Sequence, residues 1–330
     1  LRNAGLDADA RASAATTRQL SLDSLDDVAG TRGGITTLPD LIGALRDAVI
    51  AYANDPGREA LGDAVEQAGV DVTRRVNALA AAATAMREDA DKQIKDSIDR
   101  VNDLLVRFKP ANDAVMTALA TGKDPSDALD QRDAILADLS KEIAISVRPQ
   151  RDGGLSIYAD GGLTLFEKEP RALTFAPTGA LPYGAVGNAV FIDGVDATSQ
   201  TSMMRLGQGR IAALVSLRDD TGVALQKQFA QIAGLVSNFP RDGSVERLDL
   251  AIPLAEQQLG WLAGERQDAA RAVTQETAVR DRTVQSLSNA TGVNVDEEMS
   301  RLLEVERAYQ ASAKILTAVD DMFQTLMQAV

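Results

Sequence analysis

The stretch REALGDAVEQAGVDVTRRVNALAAAATAMREDADKQIKDSIDRVNDLLVRFK, residues 58–109, decides the fold class. Val65, Ala68, Val72, Leu79, Met86, Ile94, Val101, Leu105 and Phe108 recur mostly at steps of three or four residues. That spacing is the seam of a long helix laid along another helix. The other face, with Arg87, Glu88, Asp89, Asp91, Lys92, Lys95 and Asp96, is expected to meet solvent. Pro110 has no amide to donate within a helix, so the helix is expected to end there.

Outward toward the N-terminus, Asn54-Asp55-Pro56-Gly57 is a stop signal. Before it lies a short helix, about Pro39 to Ala53, with Thr37 placed to cap it and Pro39 in its first turn. The stretch Gly30-Thr31-Arg32-Gly33-Gly34 reads as a loop, and Leu6 to Ala29 as a polar helix with Leu20, Leu22, Leu25 and Val28 near its end. Outward toward the C-terminus, Asp124 is expected to cap a helix that opens on Pro125 and carries Leu129, Ile135, Leu136 and Leu139.

From Ile143 to about Leu206 the helical period gives way to short runs between glycines, prolines and acids. Strands are expected at Ile143–Val147, Leu155–Tyr158, Leu163–Phe166, Ala172–Phe175 and Ala189–Ile192. Asp152-Gly153-Gly154 and Asp160-Gly161-Gly162 are hairpin turns between them. Helix returns from about Gly209 to Asn238, followed by a looser stretch, Phe239 to Pro253, and a long helix from Leu254 to Ser288. Thr291-Gly292-Val293-Asn294 breaks the pattern. Asn294 with Glu297 has the spacing of a capping box, opening a last helix that runs to the end. The expected fold class is therefore mainly α with a β-rich insert, an α+β multidomain chain of long antiparallel helices plus a small β domain. The expected domains are 1–149 and 208–288 as two halves of a helical bundle, 150–207 as an inserted, replaceable outer domain, and 289–330 as a C-terminal assembly helix.

Composition removes most chemistry. The 330 residues hold 34 Lys+Arg against 48 Asp+Glu, a net charge of −14, which disfavours binding to nucleic acid or anionic lipid. With neither Cys nor His there is no thiol nucleophile, disulfide, Cys/His zinc site or His-based triad. Alanine supplies 54 residues and aromatics only 7 Phe, 4 Tyr and 1 Trp, a balance that favours helices over a deep, aromatic-walled pocket. No apolar run is long enough for a membrane span, and the first residues lack a signal-peptide shape.

Few motifs invite a chemical reading. Gly207-Gln208-Gly209-Arg210-Ile211-Ala212 spells G-x-G-x-x-A, but no βαβ unit surrounds it, so it reads as a joint between the β module and a helix. The acidic neighbours Asp219/Asp220, Glu297/Glu298 and Asp320/Asp321 point in different directions on a helix and read as solvated faces. Trp261 and Tyr309 fit helix core positions. No catalytic, cofactor-binding or metal-binding residue is assigned.

The tail carries the strongest pattern. Leu302, Tyr309, Leu316, Phe323 and Val330 repeat every seven residues, and Val305, Ser312, Val319 and Leu326 follow three positions later. Ala308, Ile315, Met322 and Ala329 widen this stripe beyond what one flank of a helix leaves to water. An assembly interface is therefore expected through Leu302, Val305, Tyr309, Leu316, Val319, Phe323, Leu326 and Val330.

Gly292-Val293-Asn294-Val295-Asp296-Glu297-Glu298-Met299, Ala308-Tyr309-Gln310-Ala311-Ser312-Ala313-Lys314 and Asp320-Asp321-Met322-Phe323-Gln324-Thr325-Leu326 resemble the C-terminal helix of bacterial flagellar rod, hook and hook-associated axial proteins. Leu129-Asp130-Gln131-Arg132-Asp133 and the segment Gly209–Leu217 with Arg218-Asp219 resemble one branch, the hook–filament junction family (hook-associated protein 1). That family's segment has a small residue and Leu where this chain has Arg210 and Ile211.

The resemblance implies a non-enzymatic structural subunit of the extracellular flagellum, without cofactors, that connects hook to filament. It implies export in an unfolded state by the flagellar type III system, without a cleavable signal peptide. The implied partners are further copies of itself in a ring, the hook protein, a second junction hook-associated protein and an export chaperone. The family also has an N-terminal helix with an N-I-A-N-x-x-T-P-G-Y-type motif, absent from these residues; the tail is expected to lack that partner here. The competing readings are a hook subunit, which should be β-rich beside its terminal helices, a carboxylate-based enzyme in the β module, and a helical scaffold of the cytosol.

Overall fold

The computed structural model describes residues 2–30, 36–237, 244–291 and 295–328. The chain divides into two compact units, residues 2–281 and 282–330. The elements run α1 (Arg2–Ala29), α2 (Leu38–Asn54), α3 (Glu59–Thr121), α4 (Ser126–Glu142), β1 (Ile145–Pro149), β2 (Leu155–Ala159), β3 (Thr164–Phe166), β4 (Leu173–Thr174), β5 (Phe191–Ile192), β6 (Val195–Asp196), α5 (Arg210–Ser216), a π-helical turn (Leu217–Thr221), α6 (Gly222–Val236), α7 (Glu246–Thr291) and α8 (Val295–Gln328). The expected loop at 31–34, the residues 239–243 and the break at 292–294 with its Asn294 cap lie outside the described residues.

Helix α3 is the spine of the larger unit. Its 63 residues span about 95 Å at the standard helical rise. The seam predicted from spacing is buried along its length, and short connections fold α2 and α4 back against it. Two apolar clusters form along this spine. One gathers Val65–Ala83 of α3 with α2, the end of α1, α6 and the first half of α7; Ile42, Leu45, Val49 and Leu79 are fully inaccessible. The other gathers Ala90–Ala111 of α3 with α4, the strands and α5.

Pro110 does not end α3, contrary to expectation. Its ring is exposed, and so is Val106, whose carbonyl loses a partner and can turn to water. Ala111, Asn112 and Val115 still bury beyond it, which holds the last turns in place. Pro253 sits likewise on an exposed position inside α7, so that helix starts at Glu246 rather than near Leu254. The caps are close to those expected. Thr37 forms a capping box with Asp40, whose carboxylate accepts from the Thr37 amide at 3.1 Å. Asp124 accepts from the Ser126 amide at 3.0 Å, with Pro125 one step outside the helix instead of its first residue.

The β region forms two three-stranded antiparallel sheets, β1-β2-β3 and β4-β5-β6. The predicted turns at Asp152-Gly153-Gly154 and Asp160-Gly161-Gly162 join β1 to β2 and β2 to β3; β6 is an additional strand. Two outer strands are closed by asparagine side chains. The Asn3 carboxamide donates to the Val147 carbonyl at 3.2 Å and accepts from its amide at 2.9 Å. The Asn102 carboxamide does the same for Leu173, both at 2.9 Å. Each acts as a surrogate strand, satisfying an edge that would otherwise pair with another chain.

The region is not hung outside the bundle. Ile145, Ile157, Leu165, Phe166, Val190 and Ile192 share one apolar cluster with α3, α4 and α5, and the Phe108 and Phe166 rings meet edge to face at 4.9 Å. The expected replaceable outer module is thus packed as part of the helical unit. Strands of two to five residues cannot bury both faces against each other, so they borrow the upper end of α3.

Candidate assembly surface and a buried charge cluster

In α8 the predicted stripe is apolar and solvent-facing. Exposure is 63% at Leu302, 67% at Val305, 77% at Tyr309, 70% at Leu316 and 43% at Val319. Met299, Leu303, Ile315 and Met322 are exposed as well. Tyr309 is therefore not a core residue. The side chains of Phe323 and Leu326, and the whole of Val330, lie outside the described residues. Burying one Leu or Phe contributes roughly 1.5–3 kcal/mol, so a helix exposing this many carries a large driving force for association. Its repeat at seven and three-to-four residues suits a helical partner lying alongside.

A second cluster was not legible from charge alone. Arg87 and Asp91, expected to face solvent, are buried on the seam of α3. Arg218 is also buried, at the π-helical turn. Its guanidinium donates to Asp91 Oδ1 at 2.5 Å, to Asp219 Oδ1 and Oδ2 at 2.9 and 2.7 Å, and to the Asn188 carbonyl at 2.9 Å. Asp219 is therefore a paired, mostly buried carboxylate rather than a solvated one. Arg87 donates to the Arg218 carbonyl at 2.8 Å, to Gln226 Oε1 at 2.6 Å, and to the carbonyls of Pro182 and Ala185.

Burial holds the Arg87 guanidinium below its ordinary value, with Asp219 pulling the other way. Burial lowers Arg218 too, but Asp219 and Asp91 outweigh it and leave that group raised. Gly222 makes the room: a Cβ there would lie 2.4 Å from Arg87 Cγ. The sequence signal was positional, because Arg87 and Asp91 continue the three-and-four spacing of Leu79, Ala83, Ala90, Ile94 and Ile98.

The G-x-G-x-x-A segment holds no dinucleotide turn. The Gly207 and Gln208 amides both donate to Asp160 Oδ2, at 2.9 and 3.0 Å, so a carboxylate from the β2–β3 turn occupies the place a phosphate would need. Trp261 is half-buried against the first apolar cluster. The side chains of Glu297, Glu298, Asp320 and Asp321 lie outside the described residues. Among the described residues no group of three or more acidic side chains is placed to hold a metal ion, and no helix is long and apolar enough to cross a membrane.

Comparison with known proteins gives matches over both regions. Residues 22–239 match the model of the flagellar hook-associated protein FlgK helical domain, and residues 284–329 that of the flagellar basal body rod FlgEFG protein C-terminal region. The chain is similar to flagellar hook-associated protein 1 of Salmonella typhimurium, 25% identical over 152 residues, covering 44% of this chain and 27% of the relative. The protein of the same description from Escherichia coli is 24% identical over the same coverage. The aligned part is thus about a quarter of those relatives' length. The fold is similar to that of the flagellar hook junction protein FlgK from Burkholderia pseudomallei, with a TM-score of 0.56 and 18% identity over 71% of this chain and 42% of that one.

Proposed function

Because the chain belongs to the family of the flagellar hook-associated protein FlgK helical domain, we propose that it is a structural, non-enzymatic subunit of the bacterial flagellum that joins hook to filament. The observation that carries this reading is the pairing of the two matches. The helical-domain match spans α2–α6 and includes the buried Arg87–Arg218 cluster, and the axial-protein match falls on α8 with its exposed apolar stripe. A hook subunit is not favoured, because the larger match is to a hook-associated helical domain and the chain is helical from Glu59 to Thr121.

In this reading α8 is the assembly element, through Leu302, Val305, Tyr309, Leu316, Val319, Phe323, Leu326 and Val330. The larger unit is the body that this helix anchors. The partners are like subunits in a ring, the hook protein and a second junction hook-associated protein, with an export chaperone before assembly. The protein reaches the cell exterior through the flagellar export channel. A chain without Cys suits that route, because nothing can cross-link in transit. The test is fractionation: the protein should be recovered with sheared flagella. Recovery only from the cytoplasmic fraction of motile, flagellated cells would overturn the reading.

A further inference from the structure

Between Arg171 and Asp193 the chain carries no charged residue, although charged residues make up 25% of the whole. No helix or strand lies between Thr174 and Phe191, yet this segment is tied down from below. The buried Arg87 and Arg218 donate to the carbonyls of Pro182, Ala185 and Asn188. Asp91 accepts from the Thr178 amide at 2.7 Å, and Asp219 from the Gly187 amide at 2.8 Å. Two glycines make the path possible. Gly184 has φ +72°, and a Cβ on Gly187 would sit 2.3 Å from Arg218 Cζ. Four charged groups, three of them buried and Asp219 mostly so, thus hold one irregular loop in a fixed shape. The large apolar side chains that the loop presents to solvent are Tyr183, 60% exposed, and Val186, 61% exposed.

We propose that this loop is a contact through which one copy of the chain packs against a second copy. The proposal rests on the reading of the protein as a subunit of a ring. The choice of occupant follows from charge. Two chains of net charge −14 repel each other overall, and like charges facing each other at an interface are costly. A rigid loop that carries no charge of its own is where two acidic copies can come into contact. A basic partner would be drawn to the acidic faces instead. Tyr183 and Val186 supply the anchors, since an aromatic side chain at the centre of a patch carries a disproportionate share of binding energy. Because the loop is already ordered, association forfeits little further conformational freedom. A contact that propagates around a ring is head-to-tail, so the neighbour meets the loop with a different face.

The test is site-specific photo-crosslinking in the full-length chain. The photoreactive amino acid p-benzoylphenylalanine is placed at Val186, or at Val106, which is equally exposed on α3 and serves as the control. Flagella are sheared, irradiated and analysed by mass spectrometry. The expected result is a covalent adduct of two copies of this chain from position 186, at least tenfold above position 106. In parallel, Val186→Glu should lower recovery in sheared flagella at least tenfold with an unchanged urea midpoint, while Val106→Glu assembles normally. Adducts only to a different protein, no adduct in flagella that contain the chain, or normal assembly of Val186→Glu would each overturn the contact. Absence of the unsubstituted chain from sheared flagella instead overturns the functional reading, and the ring contact with it.

Discussion

Arg218→Ala is the most informative single perturbation of the larger unit. Arg218 is 1% exposed, and its guanidinium serves Asp91 and Asp219, which are themselves almost entirely covered. The substitution removes the only cation in direct contact with either carboxylate among the described groups, while Arg87 keeps its carbonyl and amide acceptors. Breaking a buried pair by removing one partner costs about 3–5 kcal/mol, because the remaining charge stays buried and uncompensated. With a urea m-value of about 3 kcal/mol/M, the unfolding midpoint should fall by about 1–1.7 M. The assay is far-UV circular dichroism against urea, run beside Lys95→Ala. Lys95 pairs with Asp99 in the open, so its loss should leave the midpoint nearly unchanged. Limited proteolysis supplies a second readout, since the Asn188 carbonyl also loses its donor and cleavage between Thr174 and Phe191 should accelerate. A midpoint within about 0.3 M of the wild type would refute the argument that this charge cluster is desolvated and structurally required.

Gly209→Ala should destabilise the unit by more than about 1 kcal/mol, since Gly209 has φ +93° and a Cβ there would lie 2.9 Å from the Ile143 backbone; a thermal midpoint equal to wild type contradicts this. Replacing 151–206 by a short linker should lose the packing of the upper half of α3, because strands and helix share one cluster; helical content per residue that stays at the wild-type level shows the module to be separable after all. The Asp40 carboxyl is held below its ordinary value by the Thr37 hydroxyl and amide. Its contribution is therefore complete above the ordinary carboxylate range and is lost as pH falls through the lowered folded value. Asp40→Asn should lower the thermal midpoint at pH 7 and converge on wild type in strong acid; a gap independent of pH counts against the capping box. Leu316→Asp combined with Phe323→Asp should abolish recovery in sheared flagella while the urea unfolding of residues 2–281 persists, and normal assembly of that variant removes α8 from the mechanism.

The helical spine and most of its partners were legible because helix burial leaves a periodic trace. Val65, Val72, Leu79, Ile94, Val101, Leu105 and Phe108 lie on the seam that their spacing implied. The glycine turns at Asp152 and Asp160 were legible for a similar reason, since a tight turn between strands limits the residues that can form it. The two proline positions misled, because a missing amide matters less where the freed carbonyl can face water. Only the surroundings of Pro110 and Pro253 show that they do.

What the sequence determined by itself was the set of local preferences: which segments are helix or hairpin, that His and Cys chemistry is absent, and that the tail bears an apolar stripe too broad for a lone helix. What the tertiary structure decided was the pairing of parts far apart in the chain. Arg87 and Arg218 lie 131 residues apart, and Arg87 reads as an ordinary surface charge until α3 and the π-helical turn bring the two together. Asn3 and Asn102 are unremarkable helix residues until a strand edge runs past each. The physical reason is that helical and strand periods are properties of neighbouring residues. The partner of a buried charge or an open strand edge depends on which surfaces meet once loops have closed, and no local pattern records that.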